Sequence, residues 1–428
     1  MNDYKLANYH VAIRKSFLFL LITTILFFGI VTTSNIVNAQ TGVTITEFSI
    51  PTNGALPINI AEGSDGNLWF GEYGTSLIGR VTPQGVFTEF PIPTPDAYPN
   101  DVTLGHDGNI WFTEARGFDV GKIGKITPNG IITEYIIPTQ GSAPGGIVAG
   151  PDGNMWFAEY YGNKIGKMTS EGVFAEYSVP TPDSRPYDMT NGPDGNLWFT
   201  EHFGNKIGKI TPDGTITEFL VPTPNSKPSE ITTGPDGNLW FTEADGGKIG
   251  KITPNGIITE YSLPNGNSPY GITTGPDGKL WFTDYGNNVG SISINGTIER
   301  FLIPTPDSRP LSMTTDSNGN IWFVEYVGNK VVKVELNSNN VPTPIEQAQN
   351  LVQAVINLNL PNNVKNSYLA NLQKVAPFIQ DGKIQPALNQ LKAFVKKVEK
   401  DFKQGKITQQ QFNDLTNAAN NLRSDLEV

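Results

Sequence analysis

The chain has 428 residues, with 41 acidic against 30 basic side chains for a net charge of −11, seven tryptophans and no cysteine. The absence of thiols excludes a disulfide scaffold, a Cys-ligated zinc or iron–sulfur site and a thiol nucleophile, and three histidines leave little for a His-built metal site or triad. The acidic balance opposes a nucleic-acid binder, which needs clustered Lys and Arg to neutralise phosphates.

At the N-terminus, Lys5, Arg14 and Lys15 precede an apolar run from Phe17 to Val31, broken only by Thr23, Thr24 and Gly29. Val37-Asn38-Ala39 then offers small residues at the −3 and −1 positions of a cleavage after Ala39. This pattern predicts a secretory signal peptide over residues 1–39, since the run is short for a spanning helix. The expectation is a secreted or cell-surface protein with no stable membrane span after cleavage; an uncleaved anchor is the alternative. Asn295-Gly296-Thr297 is a candidate glycosylation acceptor in such a compartment.

Residues 40–340 carry a repeat. The tryptophans stand at 69, 111, 156, 198, 240, 281 and 322, each followed by phenylalanine, with spacings of 41 to 45. A period near 42 marks a repeat architecture. Within one repeat, Tyr187–Thr190, Asn196–Thr200, Lys206–Thr211 and Thr215–Phe219 suit short strands. Pro193-Asp194-Gly195 and Pro212-Asp213-Gly214 separate them as tight hairpin turns. Four antiparallel strands repeated radially make a β-propeller. Trp and Phe, adjacent on one strand, point to opposite neighbouring blades. After Trp322-Phe323 comes one more strand, Val331 to Leu336, and no Thr-Glu-Phe segment; that outer strand stands instead at the start, as Ile45-Thr46-Glu47-Phe48. The sequence therefore predicts an all-β, seven-bladed propeller of four-stranded blades closed by strand exchange. Residues 341–428 lack the repeat and show apolar residues at helical spacing, such as Leu391, Phe394, Val395 and Val398. Three or four helices are expected there, ending at Asp381-Gly382-Lys383 and Gln404-Gly405-Lys406, as a small α-helical bundle with a run of lysines at 392, 396, 397, 400, 403 and 406.

The face where strand 1 enters each blade should gather the chemistry. Two residues past each Trp-Phe pair an acid recurs: Glu72, Glu114, Glu159, Glu201, Glu243, Asp284 and Glu325. Converging on one mouth, seven carboxylates could hold a hard cation such as Mg²⁺; alternatively, they meet a structural need that every blade shares. Function is expected where the symmetry breaks. After the acid stand Tyr73, Tyr160, His202, Tyr285 and Tyr326, and near the strand-1 proline stand Tyr187-Asp188, Ser229-Glu230 and Tyr270-Gly271. The longest repeat adds Arg116 and Phe118 on the same face. Aromatics around a concave mouth suit a small-molecule, glycan or protein ligand. Tyr73, Tyr160, Tyr187, Tyr285, Tyr326, Arg116 and Phe118 are the candidate ligand-binding residues, and Tyr270, Glu230, Asp188 and His202 the candidates for acid–base work.

The repeat Gly192-Pro193-Asp194-Gly195-Asn196-Leu197-Trp198-Phe199-Thr200-Glu201, then Gly204-Asn205-Lys206-Ile207-Gly208-Lys209-Ile210-Thr211-Pro212, Ile216-Thr217-Glu218-Phe219 and Pro222-Thr223-Pro224, resembles virginiamycin B lyases (streptogramin lyases). The likeness spans about residues 43–336. It implies a seven-bladed propeller that opens a cyclic depsipeptide by elimination, with Mg²⁺ polarising the ester and a histidine removing the α-proton. The family sets histidine directly after the strand-1 proline in its last two blades. Here those places read Pro269-Tyr270 and Arg309-Pro310-Leu311, so both histidines are missing. Glu325 alone matches a family carboxylate and is the one metal candidate the resemblance implies. The resemblance thus leaves a ligand- or partner-binding propeller, a metal-dependent carbon–oxygen lyase with a displaced site, or a purely structural surface protein. The tail, through Leu391, Phe394, Val398, Gly405-Lys406-Ile407, Leu415, Ala419 and Leu422, resembles the FIMAH module of secreted surface proteins, which implies attachment or partner binding.

Overall fold

The computed structural model describes residues 33–38, 43–115, 120–264, 268–336, 344–357 and 360–426. The predicted blade forms with boundaries shifted by a residue: Pro186–Asn191, Leu197–Glu201, Lys206–Ile210 and Ile216–Leu220 are its four strands. They pair antiparallel in chain order, and seven such sheets follow one another. In the seventh, strands Pro310–Thr315, Ile321–Glu325 and Lys330–Leu336 come from the end of the array. Val43–Ser49 from its start supplies the fourth, with Ile45 opposite Val334. Strand exchange therefore closes the ring. Thr33–Asn38, inside the segment read as a leader, adds a fifth strand outside it; cleavage after Ala39 would remove that strand and leave blade seven with four, like the others. The apolar run Phe17–Val31 lies outside the described residues.

The Trp-Phe pair builds the ring. Each core between blades holds the tryptophan of one blade and the phenylalanine of the next: Trp156 with Phe199, Trp198 with Phe241, Trp240 with Phe282. The last, Trp322 with Phe70 and Phe48, spans the closure. The turn aspartate satisfies the buried indole, as Trp198 Nε1 donates to Asp194 Oδ1 at 3.1 Å. Six blades make this bond four residues back from the tryptophan, and in blade seven Asp316, six residues before Trp322, takes the same role. A buried N–H left without a partner costs about 1–3 kcal/mol, so the Pro-Asp-Gly turn shapes the hairpin and caps the indole. On strand 3 the glycine of Lys-Ile-Gly-Lys-Ile makes room for the phenylalanine: a Cβ on Gly208 would stand 2.1 Å from Phe199 Cζ. Blade seven differs, placing Val332 opposite Phe323.

The C-terminal segment folds into five helices, one or two more than the periodicity predicted: α1 (Pro344–Asn357), α2 (Asn362–Leu372), α3 (Val375–Gln380), α4 (Ile384–Lys403) and α5 (Gln409–Leu426). The extra break falls at Gln373-Lys374, where Pro377 can neither donate to the Gln373 carbonyl nor pack against it and so belongs in the first turn of a new helix, α3. Gly382 and Gly405 hold φ of 68° and 67° after α3 and α4, where the predicted turns lie. Thr408 and Gln411 exchange side-chain-to-backbone bonds of 3.1 and 2.9 Å, a capping box that starts α5. The helices share a core of Leu351, Val355, Tyr368, Leu391, Phe394, Val398, Leu415 and Leu422. Among the described residues, no helix is long and apolar enough to cross a membrane.

Candidate functional site

Every blade opens in the same way. The first proline of strand 1 faces the acid that ends strand 2, as Pro186 faces Glu201, and pairing then skips two residues before resuming at Met189 opposite Phe199. Proline has no N–H to give the ladder, and the bulge that follows re-aims two side chains. The first residue of the bulge reaches an upper cavity: Ile58, Asn100, Tyr187, Tyr270 and Leu311 line it. The second turns into the channel below, where Asn59, Asp101, Gly146, Asp188 and Glu230 surround a much smaller space.

The upper cavity measures about 520 Å³, and eight of the chain's 14 tyrosines line it: Tyr73, Tyr98, Tyr160, Tyr161, Tyr187, Tyr270, Tyr285 and Tyr326. Ala115, Ala143 and Arg309 complete the wall. The structure thus brings together Tyr73, Tyr160, Tyr187, Tyr285 and Tyr326, and adds Tyr98 and Tyr161, which the sequence reading missed. Tyr98 directly precedes the strand-1 proline and Tyr161 stands two past the acid; scanning those columns for aromatics would have found both. Arg116 and Phe118 lie outside the described residues.

Tyr187 and Tyr270 meet across the opening, their rings edge to face at 6.2 Å and their hydroxyls hydrogen-bonded. Burial pushes both phenols up from their ordinary value, so neither is a ready anionic base at neutral pH. Below them, Asp188 Oδ2 accepts from Ile231 N at 2.8 Å, Asp101 Oδ2 from Ile147 N at 2.6 Å and Glu230 Oε2 from Ile272 N at 3.2 Å. Each bond ties the inner strand of one blade to that of the next. Burial, which disfavours charge, pushes Asp188 up to about 7 and the other two well up, the charge of Asp188 adding to both. His202 packs behind the wall. Its Nδ1 donates to the Pro228 carbonyl at 3.1 Å, its ring lies 5.6 Å from that of Tyr187, and desolvation lowers its pKa.

The seven repeated acids do not converge on the mouth. None lines the cavity, and all are at most 1% exposed. Register explains it: the acid lies beside the strand-1 proline, under its own loop, and a Cβ on Gly328 would stand 2.3 Å from Glu325 Oε2. Each glutamate turns toward the strand-4 glutamate of its blade. Burial first, then that neighbour's charge, pushes Glu201 and Glu325 up to about 8, with Glu218 and Glu47 as the neighbours. In blade four the strand-4 partner, Glu218, is held toward its charged form. Glu218 is itself partly desolvated, yet bonds from Lys206 Nζ (2.7 Å) and from Thr181 N and Oγ1 (both 2.9 Å) pull its pKa down. The Pro-Thr-Pro segments thus clamp these glutamates and do not serve the mouth. Blade six carries the exception that reveals the rule: Asp284 there pairs with Arg300, which occupies the strand-4 glutamate's place.

Glu325 is therefore a carboxyl sealed under its own loop, with burial favouring its neutral form, and it presents no oxygen to an ion in the mouth. Among the described residues no three His, Asp or Glu side chains are placed to hold a metal ion. The donor set does not fit the ion that the resemblance implied.

The chain matches the virginiamycin B lyase family over residues 2–168 and 121–351. A streptogramin B lyase structure is similar over 69% of this chain and 98% of its own, at 37% identity and a TM-score of 0.66. Virginiamycin B lyase from Staphylococcus aureus is 40% identical over 69% of this chain and 99% of its own, with a TM-score of 0.65. The same values hold for its catalytically inactive histidine-to-alanine variant with quinupristin. An extracellular domain of a two-component system from B. thetaiotaomicron shares the fold at 14% identity and a TM-score of 0.55, over 73% of this chain and 43% of its own. No curated protein matches the sequence.

Proposed function

Since this chain belongs to the virginiamycin B lyase family yet carries Tyr270 and Leu311 where the resemblance places histidines, we propose that it is an extracytoplasmic binding protein without the ring-opening reaction. Its ligand, a small molecule or glycan with a flat or ring-shaped body, sits among the tyrosines of the mouth. The observation that carries this reading is the cavity of about 520 Å³ walled by eight tyrosines, a size in the range of small-molecule pockets. Tyrosine offers a broad face for stacking and a hydroxyl for orientation, with little rotamer entropy to lose.

Elimination requires a base within hydrogen-bond reach of the proton it removes. Leu311 has no such group. Tyr270 is a phenol hydrogen-bonded to Tyr187 and held neutral by burial. Asp188 and Glu230 spend carboxylate oxygens on backbone N–H groups of the next blade, and His202 does not line the cavity. The apolar leader, with its small-residue end, supports the extracytoplasmic placement.

A thermal-shift screen of saccharides and aromatic compounds on the full chain tests the reading. A stabilising ligand is expected, and Tyr187→Ala or Tyr270→Ala should abolish its shift. A screen with no ligand, or a ligand indifferent to both substitutions, would sink it.

A further inference from the structure

The charges around the mouth narrow the ligand class, and this step rests on the binding reading above. We infer that the ligand is a ring compound bearing a carboxylate, with its ring among the tyrosines and its carboxylate on Arg309.

The residue before the strand-1 proline takes the same left-handed backbone in six blades, and three of these positions carry a cation: Arg185 at φ 56°, Lys227 at 51° and Arg309 at 51°. Their fates differ. The Arg185 guanidinium lies over Tyr161 at 4.4 Å and Tyr160 at 5.3 Å. Lys227 Nζ is ion-paired with Asp245 at 2.7 Å. Arg309 is exposed, lines the cavity and has no ion pair among the described residues. The same slot thus yields two engaged cations and one left open to the mouth.

Among the described residues, no carboxylate competes for it there. Neither Asp nor Glu is among the described residues that wall the cavity. Asp101, Asp188 and Glu230 lie in the lower space, each already bonded to a backbone N–H of the next blade. The net charge of −11 opposes an anion at long range, but a Debye length of about 8–10 Å confines that opposition in physiological salt. Among the described residues that wall the cavity, the charge offered to a ligand is that of Arg309. A guanidinium presents two parallel N–H donors that match a carboxylate, whereas an uncharged ring would leave them facing solvent. Sugar acids and aromatic acids share this chemistry, and both stack on tyrosine.

Two matched pairs of probes separate charge from ring: trigalacturonate with its methyl ester, and para-coumarate with its methyl ester. Calorimetry on the full chain should show the acid of one pair binding roughly ten- to a hundred-fold more tightly than its ester. The responding pair tells a sugar ring from an aromatic one. Arg309→Gln should reduce the acid to the affinity of its ester with no change in melting temperature, whereas Tyr187→Ala should weaken acid and ester alike. Equal binding of acid and ester to the parent overturns the carboxylate inference and leaves the binding reading intact. So does an acid preference that survives Arg309→Gln. Binding of none of the four also overturns it, and the binding reading falls with it only if the wider screen finds nothing.

Discussion

Replacing Glu201 by glutamine should flatten the dependence of stability on pH. Glu201 is fully buried, and desolvation followed by the charge of Glu218 raises its pKa from 4.5 to about 8. The folded chain therefore holds a proton that the unfolded chain loses above 4.5. Stability from this group is fully present below that value and falls as pH rises toward 8, because the native state binds more protons across the window. Between pH 5 and pH 7, two units at about 1.4 kcal/mol each remove about 3 kcal/mol, or about 6 °C of melting temperature for a domain of this size. Glutamine copies the protonated acid and does not titrate. Differential scanning calorimetry of parent and Glu201→Gln across this range should show parallel cooperative transitions. The variant should lose less stability on the alkaline side, by about 3 kcal/mol. Indistinguishable pH slopes would refute the assignment of the proton to Glu201.

Two further perturbations test the fold. Gly208→Ala places a methyl 2.1 Å from Phe199 Cζ in a sealed core and should cost about 3 kcal/mol; Phe199→Leu in the same chain should cost less than the two changes summed, as measured by denaturant unfolding. A chain beginning at Gln40 keeps Val43–Ser49 and should melt as the parent does. One beginning at Ile50 loses the outer strand of blade seven and should melt at least 10 °C lower or be degraded by limited proteolysis, since that strand closes the ring; equal resistance would contradict closure by strand exchange.

The sequence made much of the fold legible. The Trp-Phe period fixes the blades, and the outer strand missing after Leu336 points to its substitute at Ile45–Phe48, because a propeller must pair every inner strand outward. The repeated acids were less legible. Periodicity shows that Glu72 through Glu325 meet a shared need, but the side-chain direction depends on a register set by the strand-1 proline and the bulge beyond it. The 37-residue link between Thr181 and Glu218 is likewise invisible without that register. Arg300 could have signalled the pair, since a cation replaces glutamate in the one blade whose acid is aspartate. At the mouth, the tyrosines after the acids were found by asking where the repeat varies. Tyr98 is harder to see, because the column before the proline reads Leu56, Tyr98, Ala143, Arg185, Lys227, Ser268 and Arg309, where a single aromatic stands out only when aromatics alone are sought.

The proposed function is binding at the mouth of the propeller without opening a depsipeptide ring. Incubating the purified full chain and Mg²⁺ with quinupristin, and following the ester by mass spectrometry, tests it most directly. The cyclic compound should persist at the rate of a protein-free control. Linearised product formed with enzyme-like turnover would show that the propeller is a lyase and overturn the proposed function.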